Sequence, residues 1–165
     1  MKQNVLIVRL SLFVLILQSA CSYESDPLVA FNAGDYKNSF SLWESMAESG
    51  DSTAQNYLGI HYYLGLGVKQ DIKQSFYWYE KSAKLGNPDA QRNLGMLYES
   101  GKLGNRDFEN SYIWMYASYK QGNLNASKTL RAISGQLSPE RVQILIIHAM
   151  QYVINDNVDP ENDDF

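Results

Sequence analysis

Cysteine is almost absent from this chain: Cys21 is the single one in 165 residues. A disulfide framework is therefore excluded. No apolar run reaches membrane-spanning length either, since Leu10 to Leu17 is too short to cross a bilayer as a helix. Basic charge is not in excess. The formal net charge is −4, and removing residues 1–20 takes away Lys2 and Arg9 but no acid, leaving −6, which argues against nucleic acid as a partner. Reactive motifs are missing as well. There is no HExxH, GxSxG, P-loop or SxxK, and His61 and His148 have no neighbours at metal-ligand spacing. No metal and no cofactor is expected, and His61, at the edge of an apolar stripe, reads as a structural histidine.

What the chain does have is a period. Ala54, Gln55, Leu58, Gly59, Tyr62 and Gly65 return 36 positions later as Ala90, Gln91, Leu94, Gly95, Tyr98 and Gly101. The register continues through Asp71/Asp107, Ser75/Ser111, Trp78/Trp114 and Gly86/Gly122, so that 13 of 36 positions agree between 54–89 and 90–125. A period of this length means stacked units, none of which buries its apolar face alone; such arrays present surfaces for binding. With 45% hydrophobic and 13% aromatic residues, one domain can bury a core.

Each unit reads as two helices. In the first, Asp51 to Leu64, the residues Ala54, Leu58, His61, Tyr62 and Gly65 fall on one stripe at helical spacing. Gly65-Leu66-Gly67 interrupts it. No strand precedes these glycines, so they read as a helix-helix turn and not as a phosphate loop. Asp71 caps the second helix, which buries Ser75, Phe76, Tyr79 and Ala83, and Gly86 ends it before Asn87-Pro88 starts the next. The punctuation recurs as Asp35, Asp71 and Asp107 and as Gly50-Asp51, Gly86-Asn87 and Gly122-Asn123. Half repeats therefore flank the two full ones: Asp35 to Ser49 as a second-type helix preceded by a short one at Pro27 to Ala33, and Leu124 to Ser134 as a first-type helix. Ser138-Pro139-Glu140 opens a last helix to about Val153. Residues 155–165, rich in Asp and Glu, have the composition of a disordered tail.

The run Ala90-Gln91-Arg92-Asn93-Leu94-Gly95-Met96-Leu97-Tyr98, the loop Gly65-Leu66-Gly67-Val68 with Asp71, and Trp78 to Gly86 resemble Sel1-like repeats. The resemblance implies an all-α chain: an αα superhelix, or solenoid, of helix pairs over 26–153, closed by a capping helix at 138–153. It also implies a non-enzymatic, partner-binding role. Four positions depart from the pattern. Leu103-Gly104 stands where Gly67-Val68 stood, Tyr119 replaces the small residue seen as Ala47 and Ala83, and Arg131 replaces Gly59 and Gly95. The array should loosen or end near Arg131.

The N-terminus resembles a lipoprotein leader. Lys2 and Arg9 precede the apolar run, and Ser19-Ala20 precedes Cys21 as in a lipobox, with Gln18 where that pattern usually has Leu. The resemblance implies a signal peptide over 1–20, lipidation of Cys21 and, with Ser22 in second position, sorting to the outer membrane of a bacterium, facing the periplasm. The alternative is an ordinary secreted protein cut near Ala20.

In superhelices of this kind the first helix of each pair faces the groove. Asn56, Ile60 and Tyr63 lie opposite the buried stripe, with Arg92, Met96 and Glu99 as their counterparts, so these six are the candidate protein-binding residues. Packing of Ile60 and Met96 against the adjacent repeat is the competing reading. The last helix carries Ile144-Leu145-Ile146-Ile147 among Val142, Ala149, Met150, Tyr152 and Val153. Either it is buried, or its spare apolar face over 142–153 serves docking or self-association. The partner is expected to be another protein. Some small exported Sel1-like lipoproteins resemble immunity proteins that neutralise secreted antibacterial effectors such as phospholipases, which makes an effector one expectation and an envelope assembly adaptor the alternative. A β-lactam-binding or hydrolysing enzyme is less favoured, because the relatives linked to that activity staple each repeat with a disulfide.

Overall fold

The computed structural model describes residues 26–153; the leader, Cys21 and the acidic segment 155–165 lie outside the described residues. Eight α-helices and one short 3-10 helix make up this region, with no strand among the described residues. In chain order they are α1 (Pro27–Asn32), α2 (Tyr36–Glu48), α3 (Ser52–Leu64), α4 (Ile72–Lys84), α5 (Pro88–Ser100), α6 (Phe108–Lys120), the 3-10 helix Leu124–Ala126, α7 (Ser127–Ser134) and α8 (Pro139–Met150). From α1 to α7 each helix packs on the next, and α8 returns to pack on α6, which is the all-α paired-helix stack that the period implies.

The helices begin where an acceptor meets free amides. Asp35, Asp51, Asp71, Asn87 and Asp107 each accept a backbone N–H from the first turn of the helix that follows. They stop at a recurring turn. Gly50, Gly86 and Gly122 adopt positive φ of 100°, 84° and 92°, and the next amide reaches back to the helix in each case: Asp51 to Met46, Asn87 to Ser82 and Asn123 to Ser118.

Polar ties also repeat. Ser82 Oγ donates to the Ser52 carbonyl and Ser118 Oγ to the Pro88 carbonyl, both at 2.6 Å. Gln55 and Gln91 donate to the Ala47 and Ala83 carbonyls, both at 3.2 Å. Between these ties lie three apolar clusters, one per stacking level, centred on Leu58, on Leu94 and on Leu130. All three leucines are fully buried, a contribution of about 1.5–3 kcal/mol each.

Gly59 and Gly95 set the helix spacing. A Cβ on Gly59 would lie 2.5 Å from the Tyr79 ring, and one on Gly95 would lie 2.8 Å from Met115 Cγ. Arg131, at the same register one unit later, is exposed, and the array ends there. The two inter-helix loops differ. Gly67 fits against the Tyr36 carbonyl at the start of α2, where any side chain would collide, whereas Leu103 projects into solvent and Gly104 N–H bonds the Gly101 carbonyl. Both loops reconverge at the cap, where Asp71 and Asp107 amides bond the Tyr62 and Tyr98 carbonyls. Tyr119 is half-buried and packs on the last cluster.

Two elements differ from the sequence expectation. The stretch Leu124 to Ser134 is a 3-10 turn followed by a short α-helix; the Asn123 side chain is turned toward Asp89, donating to its Oδ1 at 2.9 Å, and makes no cap bond. The last helix ends at Met150, short of Val153. Beyond it the Tyr152 ring lies on Trp114 with centroids 4.2 Å apart, and Gln91 Nε2 donates to the Tyr152 carbonyl at 2.9 Å.

Candidate functional site

The first helices of the two full repeats, α3 and α5, run side by side in the same direction. A hydrogen bond ties them at each end: Asn93 Nδ2 donates to Asn56 Oδ1 at 3.0 Å near their starts, and Lys102 Nζ donates to Tyr63 Oη at 2.6 Å near their ends. Between the ties is a depression of about 210 Å³ lined by Ile60, Tyr63, Leu64, Tyr79, Asn93, Met96 and Leu97. Its lining is mostly apolar. Toward the helix starts a second, more polar depression of about 370 Å³ continues past Ile60 and Asn93 to Asn56, Tyr57, Asn87, Asp89 and Arg92.

The apolar depression has a residue-level cause. One unit earlier, Trp43 and Tyr57 occupy the positions of Tyr79 and Asn93, and they stack at 4.5 Å with planes 2° apart while Phe31 closes edge-on against Tyr57. Asn93 is too short to cover Tyr79 in this way, and the space stays open. One unit later the equivalent positions are Glu99, Thr129, Ala132 and Ile133, which line a polar hollow of about 240 Å³ together with Arg106, Phe108 and Gln136. So the stack offers the same niche three times: filled by aromatics, open and apolar, then polar.

The six candidate residues all border these depressions, though not one common space. Ile60, Tyr63 and Met96 line the apolar niche; Asn56 and Arg92 line its polar continuation; Glu99 faces the third niche. Met96 is exposed at 42%, whereas Ile60 and Tyr63 are half-buried against the central cluster, so adjacent packing and surface display are both realised. Asn56 is buried at 6% and engaged with Asn93. Helical periodicity carries no signal of that engagement, because the partner sits in the next repeat. Leu64, Tyr79 and Leu97 were not among the candidates; comparison of Asn93 with Tyr57 in the aligned repeats is the signal that finds this niche.

Charge around the niche is specific. Lys102 lies over the Tyr63 ring at 4.2 Å, and Arg92 contacts Asn93 Oδ1 at 3.4 Å; neither is in an ion pair among the described residues. Residues 26–153 hold twelve acids and twelve bases, so the acidity of the chain resides in 154–165, with five acids, and in Glu24. Burial pushes the Tyr79 phenol well above its ordinary value, and Tyr79 is therefore a neutral floor at any physiological pH. His61 is fully buried among Phe31, Tyr36 and Phe40. Its Nδ1–H donates to the Leu66 carbonyl at 2.7 Å, with Nε2 3.2 Å from the Ser39 hydroxyl, and desolvation holds its pKa below 6.5. The last helix buries Val142, Leu145, Ile146 and Ala149 and exposes Ile144 and Ile147, so it is both packed and left with an apolar edge. Among the described residues no group of three or more His, Cys, Asp or Glu could hold a metal ion, and no helix is long and apolar enough to cross a membrane.

Paired helices stacked at one period, with niches between successive first helices, define an α-solenoid of the tetratricopeptide-related class. Residues 52–87 and 88–123 each match the Sel1 repeat, the same period in a slightly earlier frame than 54–89 and 90–125. These two segments are Sel1-like repeats. Repeats of this kind are generally non-catalytic scaffolds for protein-protein interaction. In fold the chain is similar to a protective antigen present in uropathogenic Escherichia coli strains and displaying an SLR fold (TM-score 0.69, 24% identity, covering 78% of this chain and 30% of that one). It is also similar to a Sel1 repeat protein from Oxalobacter formigenes (TM-score 0.60, 23% identity, 78% and 59%). The chain thus spans less than two thirds of either. No curated protein matches it.

Proposed function

We propose that this chain is a non-enzymatic binding module of the bacterial envelope that holds one protein partner along the α3/α5 face. The observation that carries this reading is the open apolar niche bracketed by Asn56–Asn93 and Tyr63–Lys102. An exposed Met96 and an aromatic wall supply contact area, and Arg92 and Lys102 supply a charged rim, the composition of a binding patch. At about 210 Å³ the niche is smaller than the roughly 300–1,000 Å³ of small-molecule sites and suits single side chains of a protein ligand.

The lipobox-like Ser19-Ala20-Cys21 supports anchoring by a lipid on Cys21, with Ser22 favouring the outer membrane and a periplasm-facing domain. Within that setting the role we assign is inhibition of a secreted antibacterial effector, such as a phospholipase, by covering its active site. Similarity to small exported Sel1-like lipoproteins supports it. The niche surface, which offers contact chemistry and no reacting group, agrees with it.

A photo-crosslinking amino acid placed at Met96 or at Tyr63 in the native host tests the reading. One discrete protein adduct from both positions, and none from exposed Leu124, is the expected result. Adducts confined to Ile147 would move binding to the last helix and overturn the groove. Several unrelated adducts would identify an assembly adaptor in place of an inhibitor.

A further inference from the structure

The niche between α3 and α5 has a chemistry that narrows what enters it. Its floor is Tyr79, 4% exposed, and its walls are Ile60, Leu64, Met96 and Leu97. Cations stand at its two ends: Arg92 beside Asn56 and Asn93, and Lys102 over the Tyr63 ring. Asp89, with Oδ1 accepting from Asn123, shares the polar depression with Arg92 and is the one acid in the lining of either depression. A ligand carboxylate is therefore the complementary group at either end. Asn56 and Tyr63 lie seven residues apart on α3, a rise of about 10 Å, which an extended peptide covers in about three residues.

Resting on the protein-binding reading above, we infer that the niche receives one aliphatic or aromatic side chain from an acidic segment of the partner protein. Carboxylates on either side of that residue meet Arg92 and Lys102. The balanced charge of residues 26–153 fits this assignment: the face selects acid through two local cations, not through a global field.

Selection of a random-peptide phage library against the full chain tests it. The enriched peptides are expected to carry a Leu, Ile, Met or Phe flanked by Asp or Glu. Asn93→Tyr restores the residue found at position 57, which the stack already accommodates one unit earlier, and should fill the niche and weaken the selected peptides by about tenfold or more. Lys102→Glu, at an exposed position, leaves the core untouched and should cost about fivefold while favouring basic peptides. A basic or absent consensus, or binding indifferent to Asn93→Tyr, overturns the inference. So would a tenfold gain in peptide affinity when Asp156, Asp159, Glu161, Asp163 and Asp164 are neutralised, since the chain's own segment would then be the occupant. The crosslinking result separates the two readings. A partner adduct at residue 96 without an acidic consensus leaves the binding module standing and ends only this assignment.

Discussion

Replacing Gly59 by alanine sets two effects of opposite sign against each other. Alanine in a helix interior is favoured over glycine by about 1 kcal/mol, so α3 alone should gain from the change. The new methyl, however, would lie 2.5 Å from Tyr79 Cδ1 and Cε1 and 3.1 Å from Cγ. Such overlap in a packed core costs about 1–3 kcal/mol, and Tyr79 is buried, so the ring can retreat only by swinging toward the open niche beside it. Overlap wins. The expected net loss is about 1–2 kcal/mol, which in urea lowers the midpoint by roughly 0.5–1 M at the slope usual for small proteins. Gly95→Ala should cost less, because its nearest contact is the flexible Met115, although the Ser111 carbonyl at 3.2 Å limits the relief. Gly122→Ala serves as a reference with strain from φ of 92° and nothing within 4 Å. A Gly59→Ala protein as stable as the parent, or more stable, would refute the claim that this glycine exists to let α3 and α4 meet.

Three further outcomes follow from particular contacts. Because His61 binds its proton less readily folded than unfolded, stability should fall as pH drops below 6.5 and level off under the lowered native pKa; His61→Phe should flatten that slope in denaturation curves taken between pH 7 and pH 5. Gln91→Ala should destabilise more than Gln55→Ala, by about 1–2 kcal/mol in urea titrations, since Gln91 bonds the Ala83 and Tyr152 carbonyls and accepts from Gln121, while Gln55 makes only the Ala47 bond. Cys21→Ser should abolish incorporation of labelled palmitate in the native host and release the domain from the membrane fraction; an unchanged label would remove the lipid anchor from the proposal.

Most of the stack could be read from the chain because its signals are local. A capping Asp or Asn, a glycine at the helix end and an apolar stripe each act within a few residues, and their 36-residue recurrence carries them from one unit to the next. What was not legible depends on distant partners. Asn123 looks like Asn87 in sequence, but its side chain turns to Asp89, 34 residues away, and makes no cap bond, whereas Asn87 caps through Ala90 N–H. The turn that follows α8 is held at the Tyr152 carbonyl by Gln91, 61 residues upstream. Helical spacing places the candidate groove residues on one face, yet the burial of Asn56 and the openness above Tyr79 both turn on Asn93 in the neighbouring repeat.

The bond from Gln91 to the Tyr152 carbonyl closes a loop of chain 61 residues long, from α5 to the turn after α8. Since α5 also carries Asn93 and borders the niche, that latch and the niche share one helix, and a ligand seated against α5 would steady the far end of the chain as well as the near one.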